Sequence, residues 1–167
     1  MDYRKSLVSA AVAAAAVASP ATAANTAPAG GKALILLPLT LTKVDDLHFG
    51  TLVSSSVAGT VTINAVTGLR THAGGVTEVT SDPGQRALFA WAGTPAQQVS
   101  FDLSYPATLD DGAGHSVQVA LLYLQSATAI ADSAGVVKVG VGGSLLISAN
   151  QAEGTYSNTF SVTANYQ

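Results

Sequence analysis

Residues 154–167 read GTYSNTFSVTANYQ. Tyr156, Phe160, Val162, Ala164 and Tyr166 share one parity, with Asn158 as the exception, and Ser, Thr and Asn fill the alternate places. A period of two marks a strand with one buried face, because successive side chains leave a strand on opposite sides. Gly154 stands where the chain would turn into that strand. Terminal segments fray unless contacts hold them, so this alternation implies a surface that grips the segment.

The same pattern recurs upstream. GVVKVGVGGSLLIS (135–148) reads as two short strands around Gly142 and Gly143, and HSVQVALLYLQ (115–125) as one. In QVSFDLSYP (98–106) Val99, Phe101, Leu103 and Tyr105 alternate, and in GTVTINAV (59–66) Val61, Ile63 and Ala65 do. RALFAWAG (86–93) reads as a buried strand closed by Gly93 and Pro95. LDDGAGH (109–115) and ANQAEG (149–154) read as turns, and Gly74-Gly75 as the tight turn of a hairpin. The Ala-rich run 125–135 holds a helical turn at most. DDLHFGTLV (45–53) gives a turn and a short strand ending near Val53. In ALILLPLTLTKV (33–44) Ile35, Leu37, Leu39 and Leu41 predict a further strand. Short strands separated by turn signals, with no sustained helical period, predict an all-β protein. The expected architecture is an immunoglobulin-like antiparallel β-sandwich with little or no helix, and a barrel is the alternative.

The first 23 residues read as an export signal. Arg4 and Lys5 precede the apolar run LVSAAVAAAAVA (7–18), and Ala21 and Ala23 offer the small residues a signal peptidase reads. That run is too short for a membrane span, and Pro20 follows it. Residues 24–32 then read as a flexible leader and 33–167 as one domain. The whole chain carries 7 Lys/Arg and 10 Asp/Glu, a net charge of −3. Removing Asp2, Arg4 and Lys5 with the signal makes it −4. No basic patch offers itself to phosphates, so nucleic acid is excluded as an expected partner. Cysteine is absent, which removes thiol chemistry and thiolate metal sites.

Polar constellations are sparse. Asp45, Asp46 and His48 cluster, as do Asp110, Asp111 and His115, but neither spacing matches a ligand loop; both read as solvated turns. There is no G-x-S-x-G elbow and no phosphate-binding glycine loop. Trp91, Tyr105 and Tyr123 read first as core or strand-edge aromatics, with a sugar-stacking Trp91 as the alternative. No catalytic residue, cofactor or metal is expected, and an enzyme is the minority reading.

LTLTKVDDLHFGTLV (39–53), GTVTI, FAWAGTP, VSFDL and the run from VGGSL to the C-terminus resemble a family of small exported bacterial domains catalogued as domain of unknown function 4402. The last segment is also similar to the ends of pilins assembled by the chaperone–usher route, which carry a glycine fourteen residues from the end and a penultimate tyrosine. Gly154 and Tyr166 occupy those places. That resemblance implies a non-enzymatic exported structural subunit of the periplasm, outer surface or an extracellular fibre. Its partners would be identical subunits and a periplasmic chaperone. The acceptor edge would comprise Gly154, Tyr156, Phe160, Val162, Ala164 and Tyr166. Ile35, Leu37, Leu39 and Leu41 would be either a donated strand or the domain's own first strand. The alternative is a self-complete secreted or periplasmic domain that binds a protein or carbohydrate.

Overall fold

The computed structural model describes residues 26–167; the export signal expected over residues 1–23 lies outside the described residues. Residues 26–34 have no regular structure and are exposed. Ile35–Gln167 form a unit of their own. Among the described residues there are twelve strands and no helix. They are β1 (Thr40–Asp45), β2 (Leu52–Val53), β3 (Gly59–Ile63), β4 (Arg70–Gly74), β5 (Thr77–Glu78) and β6 (Ala87–Ala92), then β7 (Gln98–Ser104), β8 (Thr108–Asp110), β9 (Ser116–Leu124), β10 (Thr128–Ile130), β11 (Val136–Ile147) and β12 (Ser161–Tyr166).

The strands pair antiparallel throughout, as short alternating segments joined by tight turns do. One sheet runs β1-β6-β11-β3-β4, with β9 joined to β11 and β8 to β9. A second runs β10-β7-β12, and β2 and β5 make a short ribbon. The larger sheet presents Ala87, Phe89, Trp91, Val139 and Val141 to Val99 and Phe101 of the smaller one. This is the core of a β-sandwich. The smaller sheet leaves the rest of the larger sheet's inner face uncovered. There Val61, Ile63, Val117, Val119, Leu122, Leu145 and Ile147 are capped by Phe49, Val76 and half-buried Leu47, Leu52, Tyr156 and Phe160.

Trp91 is 1% exposed and packs obliquely on Phe101, ring centroids 6.5 Å apart, so it is core rather than a sugar platform. Its indole N–H has no acceptor among the described residues.

Several local expectations are corrected. The first strand begins at Thr40, and Ala33–Leu39 lie outside any strand. Pro38 has no N–H for a ladder, so pairing with β6 starts only after it, at Thr40↔Ala92. Gly142 and Gly143 do not divide two strands but lie inside the single twelve-residue β11. There they let neighbouring strands approach: a Cβ on Gly142 would overlap the Ile63 carbonyl, and one on Gly143 the Leu122 side chain. The Ala-rich run 125–135 contains strand β10, not a helical turn. The β3–β4 hairpin turns at Asn64–Leu69, where the Asn64 side-chain carbonyl accepts the N–H groups of Val66 (2.8 Å) and Thr67 (2.9 Å). Gly74, at φ 74°, closes the opposite end of that pair against Ala58 and Gly59.

Candidate functional site

The final strand occupies Ser161–Tyr166 and pairs only with β7. Its register sets Val162 opposite Leu103, Ala164 opposite Phe101 and Tyr166 opposite Val99. Both strands therefore turn the same parity inward, as the alternation predicts. Val162, Ala164 and Tyr166 are half-buried against the sandwich core, while Ser161, Thr163 and Asn165 are exposed.

Among the described residues the other edge of β12 has no strand beside it, and the same is true of β1 at the end of the larger sheet. A groove separates these two edges. Leu41, Lys43 and Asp46 line one side, Asn158 to Val162 the other, and Phe89 is at its base; its volume is about 410 Å³. Phe160 meets Phe89 edge-on with ring centroids 6.1 Å apart. Phe160 and Asn158 also line a second, larger cavity of about 750 Å³. Its floor is Val117, Val119, Leu122, Leu145 and Ile147, and its walls are residues 47–54 and 151–158. The groove and the larger cavity share Asn158 and Phe160 in their linings.

The sequence-derived residues divide between the groove and the larger cavity. Phe160 and Val162 line the groove directly. Gly154 and Tyr156 precede β12 and wall the larger cavity instead. The Tyr156 hydroxyl donates to the Ala152 carbonyl (2.7 Å) and accepts from Gln151 Nε2 (3.0 Å), which fixes that wall. Leu39 and Leu41 are half-buried on the domain's own core, with Leu41 inside β1. Ile35 and Leu37 are 91% and 60% exposed and lie outside any strand.

At the far end of β12 the Tyr166 hydroxyl joins three segments. It accepts the Thr94 N–H (2.8 Å) and donates to the Leu37 carbonyl (2.9 Å). Thr94 Oγ1 in turn accepts the Leu37 N–H (2.7 Å). The sequence marks Gly93 only as the close of a strand and gives Thr94 no role, because the bonds that make this hub join segments far apart in the chain.

The walls are held by electrostatics. The Arg70 side chain, 3% exposed, donates from Nε to Glu78 (3.0 Å). Its terminal nitrogens reach the carbonyls of Phe49, Asp82 and Val79 at 3.0, 2.8 and 3.0 Å. This planar fork ties residues 49–51 of the cavity wall to the segment after β5. A hydrogen bond from Thr51 holds the Asp82 carboxyl below the usual carboxylate range, partial desolvation opposes it, and His48 at 3.5 Å adds to the lowering. In the β8–β9 turn the His115 ring bonds Asp111 at 2.7 Å and lowers its pKa, again against partial desolvation. The N–H groups of Ala113 and His115 reinforce that lowering.

Of the two acid–histidine clusters of the sequence, Asp111 and His115 come together to fasten a turn, whereas His48 faces Asp82 from another segment and Asp46 pairs with Lys43. Among the described residues no three His, Asp or Glu side chains converge as a metal site would require. No described helix is long and apolar enough to cross a membrane.

A family model described as "Domain of unknown function (DUF4402)" matches residues 39–166. No curated protein and no solved structure matches the chain.

Proposed function

The chain belongs to the DUF4402 family, and on that footing we propose that it is an exported, non-enzymatic structural subunit that assembles by accepting a β-strand beside β12. The observation that carries this reading is the unpartnered edge of β12 flanked by the groove of Leu41, Phe89, Phe160 and Val162. An extended segment entering there would add backbone hydrogen bonds along β12 and place alternate side chains against Leu41, Phe89 and Phe160. Donation at one end of a subunit and acceptance at the other is a head-to-tail contact, which builds open fibres. Identical subunits, and a chaperone that protects the edge before assembly, are the partners this chemistry calls for. The export signal expected over residues 1–23 supports work outside the cytoplasm in this reading.

Electron microscopy and size-exclusion chromatography of the secreted chain test it. Fibres or a ladder of oligomers is the expected result. A strictly monomeric protein at all concentrations, with the β12 edge amides already protected from exchange, would sink the proposal.

The larger cavity supports a second reading, a self-complete binding domain. About 750 Å³ with apolar lining falls in the range of small-molecule pockets. Saturable binding of an apolar probe by a monomer, unaffected by substitutions on β12, would favour it.

A further inference from the structure

The segment ahead of β1 carries exposed apolar side chains. Leu34, Ile35 and Leu37 are 71%, 91% and 60% exposed. Removing apolar side chains from water is favourable, so Leu34 and Ile35 upstream of Leu37 make this an adhesive stretch of chain. The same molecule holds a groove beside β12 in which Leu41, Phe89, Phe160 and Val162 are the apolar lining and Lys43 and Asp46 stand at one side. Whether the groove takes its own segment or another copy's is decided at Leu37.

Leu37 has no strand neighbour, yet both its backbone polar groups are engaged by side chains, the N–H by Thr94 Oγ1 and the carbonyl by Tyr166. This holds Leu37 at the Tyr166 end of β12. The opposite end of the groove lies where Asp46 faces Asn158 and Thr159. To enter its own groove, the chain would have to reverse direction across Leu37-Pro38-Leu39 before β1 starts at Thr40. Tight reversals between paired strands need residues that accept positive φ, and Pro38 cannot while the two leucines resist it. The engaged polar groups of Leu37 would also have to be released.

We propose that Tyr166 and Thr94 pin Leu37 so that the segment upstream of it is kept out of its own groove and fills the groove of a second copy. This rests on the strand-complementation reading above and adds the device that makes complementation intermolecular. Tyr166 is then a positioning residue. It also sets the boundary of what is given away: Ile35 and its neighbours are donated, and Leu39 and Leu41 stay home. Strand β12 is 6 residues, roughly 20 Å when extended, and the exposed stretch 26–35 is long enough to run its length.

The chain's lack of cysteine makes a direct test available. Ile35→Cys and Val162→Cys are introduced together in the full mature chain, which is then oxidised and run without reductant. Disulfide-linked ladders are expected with Tyr166 intact. In the Tyr166→Phe background, which keeps the ring and removes the hydroxyl, the expected product shifts to closed monomers. Exchange of the Leu37 amide should rise about tenfold there, while the β7–β12 amides keep their protection as a control for folding.

Closed monomers with Tyr166 intact would overturn the inference, the occupant then being the chain's own segment. Ladders equal in both backgrounds would overturn the pin and leave strand complementation standing. No disulfide in either background would overturn strand complementation itself.

Discussion

The Tyr166 hydroxyl donates to the Leu37 carbonyl at 2.9 Å although 129 positions separate them in the chain. The bond closes a short circuit through Thr94, so the last strand, the β6–β7 loop and the approach to β1 are fastened at one point. The phenol reaches there because residue 93 is a glycine. A Cβ at that position would overlap the Tyr166 hydroxyl and crowd the Trp91 ring.

Gly93→Ala should therefore destabilise the domain by about 2 kcal/mol, the usual cost of forcing extra volume into a filled site. Urea unfolding followed by the fluorescence of Trp91, the sole tryptophan, measures it. An unchanged midpoint would show that the hub relaxes freely.

Arg70 should tolerate no replacement. Arg70→Ala removes the bonds to Glu78 and to the carbonyls of Phe49, Val79 and Asp82 from a buried site and is expected to cost ~3 kcal/mol or more. Arg70→Lys should recover less than half of that, because one ammonium cannot reach groups spread around a planar fork. Equal stability of the lysine variant and wild type would refute the fork as the origin of the effect.

The Asp111–His115 pair predicts a specific acid dependence. A carboxyl whose pKa is lowered on folding stabilises the fold above its unfolded value, near 3.8, and that contribution is lost as pH falls through the lower folded value. His115→Ala should thus be less stable than wild type at neutral pH. The gap should close below pH 3.8 as Asp111 protonates in both. A gap that stays constant from neutral pH to below that point would assign the effect to packing instead. Denaturant melts across the range provide the readout.

Val162→Glu isolates the groove from the fold. Val162 is half-buried on an edge strand and opens into the smaller cavity, so the carboxylate can stay hydrated and the domain should remain folded. Oligomers, if formed through this groove, should fall at least tenfold in abundance, since a charge would have to be buried for a strand to dock. Undiminished assembly would move the contact elsewhere on the molecule.

Much of this molecule is legible from its residues. The parity of Val99, Phe101 and Leu103, and of Val162, Ala164 and Tyr166, foretells two paired strands with one inward face, because side-chain direction in a strand is a local property. The all-β class and most turns follow for the same reason. Where local signals conflict with pairing, pattern reading fails. Gly142-Gly143 looks like a break, but the carbonyl of Ile63 and the side chain of Leu122 press so close that only glycine fits mid-strand. Asn64 rather than Gly74 makes the hairpin, since a side chain accepting two N–H groups defines that turn. Ile35 and Leu37 alternate as well as Leu39 and Leu41 do, yet only the latter pair settles on the core. Alternation states that a face wants burial; which neighbour buries it depends on ladder partners drawn from distant parts of the chain. The groove between β1 and β12 and the bonds joining Tyr166 to Leu37 are of that long-range kind, and only the tertiary structure decided them.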